Sequence, residues 1–127
     1  MRITGPQDTY TLLKDYRGRR QEHFIVITLD ASHNVIKRHV VTKGLVNRTI
    51  VHPREVLYHA VRDFAVALIV AHNHPSGSPY PSREDDAITE RLSKAAGILG
   101  FHLLDHIIVT KDDYYSFRQN GFSLDAD

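Results

Sequence analysis

The stretch "AHNHPSGSPYPSRED" (71–85) places His72 and His74 two positions apart at the end of an apolar run, then Ser82 and Asp85 beyond a loop of small residues and prolines. In extended backbone, residues two apart point to the same side, so both imidazoles can be presented to one point. Asp85 can swing back from the start of the following helix as a third ligand. Two histidines and one carboxylate leave the fourth position of a tetrahedral zinc site for water, the arrangement of catalytic zinc. Spacing alone does not choose Asp85 over its acidic neighbours Glu84 and Asp86.

Zinc brings the pKa of its water down to about 7, but amide hydrolysis also needs a base that is not a ligand. Glu22, at the start of the first predicted strand, can approach from an adjacent element. Its competitor is Glu55, which a helix starting at Pro53 explains as a favourable first-turn acid. The Ser82 hydroxyl is placed to hydrogen-bond an oxyanion developing on an attacked carbonyl.

A plainer account competes. "SRED" also reads as a helix capping box, with Ser82 as N-cap and Asp85 at N3. Capping explains neither histidine. If Asp85 is a ligand, its side chain must turn to the metal and the reciprocal half of the box should be missing; a bond from the Ser82 N–H to Asp85 would favour the capping account.

The elements around these residues follow from apolar periodicity. "ALIVAH" (67–72) is apolar at nearly every position and reads as a central strand buried on both faces. "SREDDAITERLSKAAGILG" carries a helical stripe of Ile88, Leu92, Ala95, Ala96 and Leu99, with Gly97 and Gly100 near its end. "EHFIVITLD" (22–30) and "VIKRHVVTKG" (35–44) flank the turn residues "ASHN" and predict a hairpin. "FHLLDHIIVT" (101–110) predicts a further strand, and helices are predicted over 6–16 and from Pro53, the latter with Val56, Leu57, Ala60, Val61 and Phe64 inward. "YYSFRQNG" predicts a last short helix and "FSLDAD" a frayed end. Helices alternating with strands imply an α/β or α+β sandwich with a mixed sheet.

The chain has 127 residues, 42% of them hydrophobic, enough for one domain spanning 1–127 and too few for two. Sixteen basic against fifteen acidic residues give a net charge of +1, so no overall field draws the protein to nucleic acid or an anionic membrane. The local run Arg17, Arg19, Arg20 reads as a solvated turn. Without cysteine, thiolate-held zinc or iron–sulfur clusters and cysteine nucleophiles are excluded, as is the thiolate-ligated zinc of nucleobase deaminases. The absence of a long apolar segment points away from the membrane and towards the cytoplasm.

Together, H-x-H, seven residues, then S-x-x-D, with a glutamate upstream, resemble the JAMM motif of the JAB/MPN metalloprotease superfamily. "HNHPSG" with "PSREDD" resembles its RadC branch, as do "EHFIVITLD", "VHPREV" and "LLDHIIVT", so the resemblance runs from Glu22 to Phe117. It implies a curved mixed β-sheet flanked by helices, similar to that of cytidine deaminases. It also implies a zinc site of His72, His74 and Asp85, with Glu22 as general acid/base, Ser82 as oxyanion helper, and a protein or peptide substrate. RadC proteins usually carry an N-terminal helix-hairpin-helix region that nothing here matches; nucleic-acid contact is expected only through that region. Gly77-Ser78 departs from the family's loop, where an acidic residue often follows the glycine, and leaves the ligand pattern intact.

Two other readings compete with hydrolysis of peptide or isopeptide bonds. A DNA-repair-associated nuclease is suggested by the letters HNH, but HNH nucleases spread those residues across a ββα unit. A non-catalytic interaction domain is the other. Asp105 and His106 interrupt an apolar strand and read as a structural polar pair, the alternative being that they orient a ligand histidine. His23, His33, His39, His52, His59 and His102 lack ligand spacing and are expected to face solvent or bond locally. An edge strand is compatible with a homodimer.

Overall fold

The computed structural model describes residues 1–44 and 51–124. Its order is α1 (Pro6–Leu12), a 3-10 turn (Lys14–Tyr16), β1 (His23–Leu29), β2 (Val35–Lys43), α2 (Pro53–Arg62), β3 (Ala67–Asn73), α3 (Arg83–Leu99), β4 (His102–Val109) and β5 (Tyr114–Ser116). The strands form one mixed sheet in the order β2-β1-β3-β4-β5. Only β3 and β4 are parallel, and α3 is their crossover.

Every residue of β3 is buried, as its unbroken apolar run requires. Alternation divides the strands between two cores. Phe24, Val26, Leu68 and Val70 face α2 and α3, packing on Val56, Leu57, Ala60, Ile88, Leu92 and Ala96. Ile25, Ile27, Leu29, Ile69 and Ala71 face the other way, with Ile3 and Leu13. The layers are therefore α2/α3, sheet and α1.

This topology places the candidate residues. β1 is antiparallel to β3 with Phe24 opposite His72, so the start of β1 lies beside the end of β3. The same end of β3 leads through the loop into the N-terminus of α3. Glu22, the two histidines and Ser82–Asp85 thus lie at one end of the inner strands, outside the carboxyl end of β3, where open α/β sheets bind ligands.

Several boundaries differ from the sequence reading. The helix expected over 6–16 stops at Leu12 and continues only as the 3-10 turn. "YYSFRQNG" is not a helix: Tyr114–Ser116 pair with Ile107–Val109 as an edge strand, and turns follow. The β4 edge offers unpaired N–H and C=O groups, and satisfying them outweighs the weak helical pattern. "FSLDAD" is anchored through its first half, since Phe122 and Leu124 pack in the α2/α3 core and Ser93 Oγ donates to the Leu124 carbonyl at 2.5 Å; residues 125–127 lie outside the described residues. Val61, Phe64 and Leu99, expected inside, are exposed, because α2 ends at Arg62 and Phe64 turns out with φ 53° while Leu99 closes α3 before Gly100. Among the described residues no helix is long and apolar enough to cross a membrane.

Candidate metal centre

His72 is the penultimate residue of β3, fully buried, and His74 follows the strand at its mouth. Their Nε2 atoms lie 2.9 Å apart. Asp85 Oδ1 is 3.1 Å from His72 Nε2, and Oδ2 is 3.2 Å from His74 Nε2. Ligands about 2.0–2.1 Å from a tetrahedral ion stand about 3.3 Å from one another, and these three spacings, with each imidazole facing its own oxygen of the carboxylate, are close to that. Among the described residues this is the only group of three such side chains that could hold a metal ion. Asp85 is thereby distinguished from Asp86, which is exposed, and from Glu84.

Hydrogen bonds behind the rings fix which nitrogen carries the proton. His74 Nδ1 donates to the Ser78 carbonyl at 2.9 Å, which leaves Nε2 bare in the neutral ring. For His72 the chain is longer. Thr89 Oγ1 donates to the Asp85 carbonyl at 2.7 Å, so it must accept from His106 Nδ1, 2.5 Å away. His106 Nε2 is then an acceptor, and His72 Nδ1, 2.9 Å from it, is the donor. Two backbone carbonyls thus turn both Nε2 lone pairs towards the Asp85 carboxylate. Three electron-pair donors aimed at one another suit a cation.

Without a metal, protons take its place between these groups. Burial disfavours ionisation of Asp85, but with protons on their Nε2 atoms His72 and His74 donate hydrogen bonds to it, which outweigh burial and hold the carboxyl well below the ordinary range. Burial likewise disfavours charge on His74, yet Asp85, the Ser78 carbonyl and Glu22 raise its pKa above the usual histidine value. Burial pushes His106 far down, keeping it neutral, as the acceptor role of its Nε2 requires. Its ring is stacked on Phe117 at 4.6 Å and meets Phe24 edge-on at 5.8 Å.

Asp85 also overturns an expectation, because the bond that was to favour the capping account is present. Both halves of the capping box are present: the Ser82 N–H donates to Asp85 Oδ2 at 2.8 Å, and the Asp85 N–H donates to Ser82 Oγ at 3.1 Å. A ligand carboxylate was expected to leave the box half-made, but two carboxylate oxygens offer about four lone-pair sites, and one N–H uses one of them. Capping accounts for the Ser82 bond and not for two histidines on the same carboxylate. The cap instead fixes the carboxylate's orientation.

Glu22 immediately precedes β1, half-buried, close enough for its charge to act on His74. Ser82 is the N-cap of α3 and exposed at the mouth. Glu55 sits in the first turn of α2. The pair "Asp105-His106" divides: His106 orients His72, whereas Asp105 accepts from Ser116 Oγ at 2.5 Å and from the backbone of Arg118 and of His106 itself. A bulge places Leu104 between the residues paired with Leu68 and Ile69, and Asp105 and His106 face opposite sides. His23 bonds locally, its Nδ1 donating to the Gln21 carbonyl at 2.8 Å. The sequence reading missed Thr89, the Ser78 carbonyl and Asn73. A signal for Thr89 existed, since it stands four residues after Asp85, one helical turn along the same face.

A family model described as a RadC-like JAB domain matches residues 3–122. The chain belongs to that family. It is similar to a UPF0758 protein of Methanospirillum hungatei, 47% identical over 124 residues, which cover 96% of this chain and 55% of the relative. UPF0758 proteins of Pelobacter propionicus (45% identical; 94% of this chain, 53% of the relative) and Aquifex aeolicus (44%; 94% and 52%) are also similar. This RadC-like chain spans about half the length of the curated relatives it matches. Membership of the RadC-like JAB family accords with the five-stranded mixed sheet and with a His–His–Asp cluster able to take a metal ion.

Proposed function

We propose that this RadC-like domain is a zinc-dependent hydrolase of peptide or isopeptide bonds. The observation that carries the reading is the convergence of His72 Nε2, His74 Nε2 and the Asp85 carboxylate, each locked from behind. Three protein ligands are the number used by catalytic zinc, which keeps one position for water or substrate. When bound, zinc would polarise a carbonyl and make hydroxide available near neutral pH.

The remaining steps belong to the chain. Glu22 takes a proton from the attacking water and delivers it to the leaving amine. Ser82 Oγ accepts from the Asp85 N–H and so keeps its own proton to donate to the oxyanion. Burial of His72 and Asp85 excludes water from all but the mouth of the site, which strengthens these interactions. The substrate is a protein or peptide.

The test is cleavage of a peptide library and of isopeptide-linked peptides by zinc-loaded protein. Glu22→Gln is expected to keep zinc and lose turnover, and His74→Ala to lose both. Turnover that survives both chelation and His74→Ala would exclude the reading.

A further inference from the structure

Asn73, the middle residue of His72-Asn73-His74, is fully buried and points to the opposite face of the sheet from the two histidines. Its Oδ1 accepts from the His23 N–H at 2.7 Å. Its Nδ2 donates to the Gln21 carbonyl at 3.0 Å and the Arg19 carbonyl at 3.4 Å. These bonds fall on both sides of Glu22. The β1–β3 ladder ends at Phe24 opposite His72, so the Asn73 amide extends the attachment to β3 past the last paired residues. On its other side, the Glu22 carbonyl accepts from the Gly44 N–H at 2.9 Å.

We infer that Asn73 is a positioning residue: it holds the 19–23 segment against the end of β3 and so sets where the Glu22 carboxylate stands relative to the metal ligands. The inference rests on Glu22 being the base proposed above. The same tripeptide then does two jobs, its flanking imidazoles holding the metal on one face and its central amide holding the base from the other. An apolar residue of similar size would satisfy burial, but neither the His23 N–H nor the two carbonyls. Asparagine, with one acceptor and a two-hydrogen donor on a short stem, matches that set.

The test separates position from activity. Cobalt(II)-loaded protein reports by pseudocontact shifts where each backbone amide lies relative to the metal, whether or not the protein turns over. Asn73→Ala is expected to bind zinc and cobalt within about threefold of wild type and to move the amide shifts of Gln21, Glu22 and His23, while those of Val26 to Thr28 stay in place. Asn73→Asp, nearly isosteric, keeps the acceptor and loses both donor bonds, and serves where the alanine variant does not fold. In turnover, kcat is expected to fall about 100-fold with KM within about twofold, the cost of a misplacement on the order of 1 Å. Combining Asn73→Ala with Glu22→Gln is expected to add no further loss.

Unmoved amides at 21–23 in both variants would overturn the inference. So would moved amides with wild-type kcat, or full additivity with Glu22→Gln. If wild type cleaves no peptide or isopeptide, the hydrolase reading fails, and the amide shifts still decide whether Asn73 sets the segment's position.

Discussion

Replacing His106 with leucine removes the acceptor for His72 Nδ1 while keeping a buried side chain of similar size. When His72 binds a metal through Nε2, its proton must sit on Nδ1, and that N–H, sealed inside the protein, would face only methyl groups. The metal-free form has an escape. The proton can move to Nε2, 3.1 Å from Asp85 Oδ1, so the penalty falls mainly on the metal-loaded state. An unsatisfied buried donor costs about 1–3 kcal/mol. At about 1.4 kcal/mol per factor of ten, zinc affinity is expected to fall about 5- to 150-fold, a range that includes the losses usual when a ligand histidine loses its partner. Packing losses from the changed ring contacts with Phe117 and Phe24 weaken both states alike and cancel in the affinity. The assay is competition with a chromophoric chelator near neutral pH, with thermal melts to establish folding. His106→Gln, which retains an acceptor, is expected to recover part of the loss. A leucine variant that binds zinc within twofold of wild type would refute the proposed proton ordering, as would a glutamine variant no better than leucine.

Zinc binding should weaken as pH falls. The Asp85 carboxylate, the Ser78 carbonyl and Glu22 outweigh burial and raise the pKa of metal-free His74, so its proton competes with the metal from above about pH 6.5 downward, whereas Asp85 stays ionised throughout that range. Affinity measured against pH is expected to level off only above that value; a curve flat from pH 5 to 8 would contradict the assignment. Leu68→Ala, at a site 1% exposed in the central strand, should cost about 2–5 kcal/mol in urea unfolding. Gly100→Ala should cost about 1 kcal/mol in the same measurement, because the residue caps α3 at φ 85° and a side chain is strained there.

The parts of this domain legible in the sequence are those where one physical demand dominates. The apolar run 67–72 reads as a central strand, and in extended backbone the two histidines closing it share a face. Ser82 announced the start of α3 correctly. What stayed hidden depends on partners distant in sequence. Tyr114–Ser116 pair with β4 because that edge needs covering, which no local pattern reveals. Asp105 and His106 looked alike as polar interruptions, and only the bulge at Leu104 and the pairing of Val70 with His106 put the histidine behind His72. Asn73 passed unnoticed between two more conspicuous residues, since its meaning lies fifty positions away at His23. Two inferences at the site failed: Asp105 and His106 were read as one structural pair, and the two oxygens of Asp85 were treated as a single acceptor.

The most direct test is X-ray absorption on the zinc-loaded protein, combined with metal analysis of wild type, His72→Ala and His74→Ala. One zinc per chain is expected, held by two imidazole nitrogens and a carboxylate oxygen at about 2.0–2.2 Å, and lost from both variants. A protein that takes up no zinc from zinc-replete buffer, or that binds it undiminished without His72 and His74, would contradict the metal centre.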